Sequence, residues 1–60
     1  MAGEMRFNLV RKMLEAKGYD LARINGSHHV FVKPGCENVV VPVHGGKVKP
    51  GYVRKIEKIE

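Results

Sequence analysis

The feature that most constrains the fold of this chain is a helical periodicity at each end, with only short β-like segments between. Over residues 4–17, apolar side chains repeat at the spacing of an amphipathic helix, and the charged ones, Arg6 among them, fall mostly on the opposite face. Gly18 follows at the position that a helix end favours. A second helix is predicted from Pro50, because a proline needs no N–H partner in a first helical turn. The first apolar stripe consists of Met5, Phe7, Leu9, Val10, Met13 and Leu14, and the second of Tyr52, Val53, Ile56 and Ile59.

Three segments between these helices have the composition of β-strands. They cover residues 19–24, 29–33 and 39–43, and the last of them is the richest in valine. Asn25-Gly26, between the first two segments, is a strong signal for a hairpin turn. Pro42 cannot donate a backbone hydrogen bond, so we expect part of the third strand to lie at the edge of a sheet.

The order of elements is therefore α-β-β-β-α, which predicts an α+β fold. Its physical solution is a three-stranded antiparallel sheet with both helices packed on one face, the layout of the double-stranded-RNA-binding domain. Sixty residues leave room for one domain, residues 1–60, whose small core needs good helix–sheet packing or a partner chain. Cys36 is the single cysteine, so no disulfide within the chain can supplement that core.

The charge balance restricts the class of partner. Eleven Lys and Arg residues against six Asp and Glu give a formal net charge of +5, which favours polyanions: nucleic acid or an acidic protein surface. There is no apolar run of the roughly 20 residues that cross a bilayer, and no signal-peptide core. Together with the lone thiol, this composition predicts a cytoplasmic protein.

The hairpin turn carries the residues with the clearest chemistry. Gly26-Ser27-His28-His29 combines a flexible backbone, a hydroxyl and an imidazole of the kind that titrates near neutral pH. An imidazole at a turn in a basic protein suggests a site that cuts or grips a phosphodiester. The alternative interpretation is ordinary hairpin-turn chemistry.

Several short motifs, in their order and spacing, resemble the HicA (YcfA-like) family, the small toxins of bacterial and archaeal toxin–antitoxin modules. The resemblance implies a double-stranded-RNA-binding-like fold, ribosome-independent cleavage of mRNA, and a neighbouring HicB antitoxin that covers the site. The histidine on which the family depends falls on His28, and Gly26 and Ser27 also fit. The motifs are Gly18-Tyr19, Arg23, Gly26-Ser27-His28, Pro34-Gly35, Val41-Pro42-Val43-His44 and Lys49-Pro50-Gly51.

These residues and the resemblance together lead to the hypothesis that the chain cleaves RNA with His28 as the acid or the base. Ser27 and backbone N–H groups around Gly26 would position the phosphate. The candidate cations are Arg23, Lys33 and Lys47. No cluster of Asp or Glu lies near the turn, which favours a metal-independent route without a cofactor over a two-metal nuclease.

A single histidine supplies one proton role, and the second stays open among His29, His44, a lysine and water. In the alternative interpretations, His29 is a strand residue that pairs across the sheet and His44 is a loop residue. Two other functions compete with RNA cleavage. One is a non-catalytic RNA-binding module on the same fold, and the other is an interaction protein whose sheet docks a partner.

Overall fold

The computed structural model describes residues 3–59 and contains two helices and five strands. In chain order the elements are β1 (Met5–Arg6), α1 (Phe7–Ala16), β2 (Asp20–Asn25), β3 (His28–Val32), β4 (Val39–Pro42), β5 (Lys47–Val48) and α2 (Pro50–Glu57). Among these residues, neither helix is long and apolar enough to cross a membrane.

The main sheet is antiparallel in the order β2-β3-β4, which confirms the predicted α+β fold. The predicted strands agree with the observed ones to within one residue at each end. β4 is an edge strand, as Pro42 indicated, and Pro42 lies opposite His28 of the central strand. A bulge at Ala22 separates the paired positions Leu21 and Arg23.

The hairpin between β2 and β3 is also confirmed. Asn25 pairs with His28, so the two central turn residues are Gly26 and Ser27, one position later than the Asn25-Gly26 signal suggested. Gly26 has a φ of 59°, whereas no residue other than glycine has a positive φ in the described chain. A positive φ at the first central position followed by a negative one is the pattern of a type II′ turn.

A second, two-stranded sheet corrects the prediction for the start of the first helix. Met5 and Arg6 form β1, which pairs antiparallel with β5, and α1 begins at Phe7 rather than near residue 4. Met5 lies opposite the fully buried Val48. An apolar side chain at this position therefore fits a strand in this ladder as well as it fits the stripe of a helix. Periodicity within residues 4–17 could not separate the two, because the ladder depends on a partner about forty residues away.

The core lies between both helices and one face of the main sheet. Phe31 and Val41 of the sheet are at most 1% exposed. Full burial of a side chain of this kind contributes about 1.5–3 kcal/mol. The buried cluster consists of Val10, Leu14, Tyr19, Phe31, Val41, Val48, Val53 and Ile56. Both helices thus cover the same face, as predicted, and neither packs on the other face, which carries the exposed His28 and Val40 around a buried Val30.

Candidate functional site

The two adjacent histidines of the hairpin lie on opposite faces of the sheet, because successive side chains of a strand alternate. His29 is on the same face as Phe31 and is half-buried beneath the start of α1. His28 is exposed on the open face, opposite Pro42. Their side chains therefore do not meet at one point.

The imidazole of His29 is held on two sides. Its ring centroid lies 4.4 Å from that of Phe7, with the ring planes tilted by 50°. Its Nδ1 lies 3.4 Å from the carbonyl oxygen of Ser27, which also accepts a 2.7 Å hydrogen bond from the N–H of Val43. Since a carbonyl can only accept, this long hydrogen bond favours a proton on Nδ1 and leaves Nε2 of the neutral ring as the acceptor.

A pocket of about 400 Å³ opens beside His29. Its walls come from the start of α1, the β1–β5 ladder and the turn that leads into β5. The lining residues are Arg6, Phe7, Asn8, His29, Val43, Gly45, Gly46 and Lys47. They include an imidazole, an amide and two cations, and none of them is a carboxylate. Chemically, such a lining suits an anion.

The two cations of the pocket are cross-strand neighbours. Arg6 of β1 lies directly opposite Lys47 of β5, and both are exposed. Within residues 3–59 the one salt bridge is that of Arg11 with Glu15 on α1, so neither pocket cation has an acidic partner. Like charges directly opposite each other destabilise a ladder, so this pair makes the pocket mouth positive at a cost in stability.

The turn at residues 44–47 supports the pocket wall. His44 and Lys47 exchange two backbone hydrogen bonds of 3.0 Å, and Gly45 and Gly46 have φ values of 59° and 75°. Two positive φ angles in a two-residue loop are the pattern of a type I′ turn. The carbonyl of Gly46 then accepts a 2.8 Å hydrogen bond from the N–H of Phe7, which fastens the turn to the start of α1.

The other predicted site residues are dispersed. Arg23 pairs with Val30 and shares the open face with His28. Lys33 lies beyond the far end of β3, where its amine is 5.6 Å from the centre of the Tyr19 ring. His44 is exposed in the turn beside the pocket and does not line it. Gly26 is exposed at the hairpin tip, and Ser27 is half-buried.

Sequence reasoning identified Lys47 and His29 as candidates but missed Arg6, Phe7 and Asn8. Helical periodicity assigned Arg6 to the solvated face of a helix, and nothing local distinguishes it from the other surface cations. Its pairing with Lys47 arises only when β1 meets β5.

The fold and the pocket define a small, basic α+β protein in which an imidazole and two cations line one pocket suited to an anion. A family model described as "HicA toxin of bacterial toxin-antitoxin" matches residues 8–59. The chain therefore belongs to the HicA toxin family, which confirms the resemblance seen in the sequence and implies a partner antitoxin. Neither the curated proteins nor the solved structures contain a match to this chain.

Proposed function

We propose that this toxin is a metal-independent endoribonuclease that cleaves mRNA with an imidazole from the Gly26–His29 turn. The observation that carries the proposal is the position of His29: its ring lines a pocket that also holds two cations, neither of which forms a salt bridge with an acidic residue of the described part of the chain. The cleavage would take place in the cytoplasm, the compartment that the sequence predicts.

The reaction would use the RNA's own 2′-hydroxyl. A base takes the proton from this hydroxyl, the 2′-oxygen attacks the adjacent phosphorus, and the bond from phosphorus to the 5′-oxygen breaks. An acid protonates that leaving oxygen, which yields a 2′,3′-cyclic phosphate and a 5′-hydroxyl. Proton transfer by a positioned side chain contributes roughly 10²–10⁴-fold to such a rate. Cations beside the phosphate stabilise the charge that develops in the transition state.

Two histidines compete for the proton role. The resemblance to the family selects His28, whereas the pocket selects His29. Because these side chains point to opposite faces, they are alternatives for one phosphodiester and not an acid–base pair acting on it together. The geometry favours His29, whose hydrogen bond to Ser27 leaves Nε2 free to accept a proton.

The test is cleavage of a long RNA in excess EDTA by the wild-type chain and by His28→Gln, His29→Gln and His44→Gln. Glutamine keeps polarity and much of the volume but cannot exchange a proton near neutral pH, and thermal unfolding of each variant checks the fold. Loss of cleavage in His29→Gln alone supports the pocket as the site. Loss in His28→Gln alone supports the residue that the resemblance selects and moves the site to the open face.

A non-catalytic RNA-binding module on the same fold is the competing function. It predicts that the wild type binds RNA and leaves it intact at every protein concentration. Full cleavage by all three histidine variants would instead overturn the imidazole mechanism while keeping the nuclease activity.

A further inference from the structure

We infer that Arg6 and Lys47 form a two-point clamp for one RNA phosphate beside His29. This inference rests on the proposed function and adds to it the group that holds the substrate. Arg6 lies outside the stretch matched by the family model, which begins at residue 8. The clamp therefore assigns a substrate-binding role to a residue that the match does not reach.

The pairing of Arg6 with Lys47 is unfavourable as long as no anion is bound. Residues directly opposite in an antiparallel ladder have Cβ atoms about 4.5–5.5 Å apart, so two cations there repel each other. No carboxylate of residues 3–59 forms a salt bridge with either Arg6 or Lys47, and none lines the pocket. An anion placed between the two cations would turn this repulsion into attraction, and a phosphate presents several oxygens to do so.

The backbone that carries the two cations is already held in place. On one side of Arg6, Met5 pairs with the buried Val48, and on the other, the N–H of Phe7 is bonded to the Gly46 carbonyl. Lys47 is fixed by its two hydrogen bonds with His44. Because the backbone at both positions is already fixed, binding has to order only the two side chains, which favours both affinity and correct positioning of the phosphate.

The residues beside the two cations also suit an RNA phosphate. His29 and the amide-bearing Asn8 line the same pocket, so a phosphate held at its mouth would lie beside the imidazole. The planar guanidinium of Arg6 can donate two hydrogen bonds to phosphate oxygens, whereas Lys47 acts as a point charge. We expect Arg6 to set the orientation of the phosphate and Lys47 to add charge.

The test compares Arg6→Gln, Lys47→Gln and the double variant with Lys12→Gln, a matched control that removes one exposed charge of α1 that does not line the pocket. The first readout is affinity for a fluorescent single-stranded RNA of mixed sequence as ionic strength varies. It is measured with the substitutions placed in the histidine variant that no longer cleaves RNA. The second is the cleavage rate of the same substitutions in the otherwise wild-type chain. Circular dichroism and thermal unfolding verify that each variant is folded.

We expect each pocket variant to bind RNA about tenfold more weakly at low salt, since each removes charge-assisted hydrogen bonds. The slope of log affinity against log salt should become shallower by about 0.7 in the double variant, which leaves this one phosphate without a cation, and by less in either single variant. The double variant should lose less than the product of the single losses, because both cations serve one phosphate. Lys12→Gln should change affinity less than twofold.

Equal behaviour of Arg6→Gln, Lys47→Gln and Lys12→Gln would overturn the clamp, even where the wild type cleaves RNA and the proposed function stands. Multiplicative losses in the double variant would also overturn it, because they indicate that the two cations bind independently. If the pocket variants leave RNA binding unchanged and instead weaken binding of the antitoxin, measured in parallel, the pair belongs to a protein interface and not to a phosphate. Weakened RNA binding without cleavage by any chain would support the clamp and overturn the nuclease.

Discussion

The ring of Phe7 packs against that of His29 with 4.4 Å between centroids, and against that of Phe31 with 6.1 Å. The first residue of α1 thus connects the buried core to the imidazole at the pocket. This contact supports one side of the imidazole, so a shift of the helix start would change the surface against which the ring rests. The side chain of Phe7 therefore contributes both to the packing of the core and to the surroundings of the imidazole in the pocket.

Replacing Phe7 should consequently affect both stability and cleavage. Phe7→Ala removes most of a half-buried aromatic side chain, and we expect a loss of about 1–3 kcal/mol in the free energy of unfolding. Cleavage should decrease in molecules that remain folded, because the imidazole loses the surface that orients it. Urea unfolding and cleavage assays under folded conditions separate the two effects. Phe7→Tyr, which keeps the ring, is the control. If Phe7→Tyr showed a cleavage defect as large as that of Phe7→Ala, the result would contradict this account.

The turn before β5 should depend on the conformation of glycine and not on its small size. A Cβ at Gly46 would meet no atom within 4 Å, but its φ of 75° strains any L-residue. Gly46→Ala should therefore cost about 1–2 kcal/mol. Gly51 offers a matched control, because it also has open space and lies in α2 without a positive φ. We expect Gly51→Ala to be neutral or to stabilise the fold, and equal thermal shifts in the two variants would disagree with this explanation.

The stability of the fold should decrease at high pH through Tyr19. Burial raises the pKa of the Tyr19 phenol above its ordinary value of 10.0, with Cys36 and Glu37 adding to the effect. Below pH 10 the phenol is neutral in both states, and above it the unfolded chain ionises first. The folded state then binds more protons, so the free energy of unfolding falls as pH rises through this window.

Tyr19→Phe should flatten that decrease relative to the wild type. Denaturant unfolding at a series of pH values from neutral to above 10 measures it, and Tyr52→Phe, at a half-buried position on α2, is the control. If the dependence of stability on pH stayed the same in Tyr19→Phe and changed in Tyr52→Phe, the effect would arise from Tyr52 and the prediction would be wrong.

Association with the antitoxin should be sensitive to salt. The chain has a net charge of +5, so we expect an acidic partner surface and an association rate that falls steeply with ionic strength. Co-expression with the partner antitoxin that the family implies, followed by purification through a tag on the toxin, should recover the complex. Stopped-flow mixing at several salt concentrations then measures the rate constant. A rate independent of salt, or no recovered complex, would count against an electrostatically guided partner.

Local patterns of the sequence by themselves determined most of the secondary structure. The apolar stripes of both helices, the valine-rich third strand and the glycine of the hairpin each act over a few residues, so they are visible without a fold. The edge position of Pro42 follows from the same local rules. These features suffice for the α+β class and for the resemblance to the HicA family.

Which residues form the pocket depends on the tertiary structure. The β1–β5 ladder joins residues about forty positions apart, and no local signal distinguishes Met5 and Arg6 in a strand from Met5 and Arg6 in a helix. Alternation along β3 predicts that His28 and His29 face opposite sides, but both faces carry apolar neighbours, so the strand pattern does not tell which side the helices cover. The packing of Phe7 and Phe31 makes that choice and places His29 at the pocket. The like-charge pair of Arg6 and Lys47 exists for the same reason: long-range pairing brings together charges that the sequence keeps far apart.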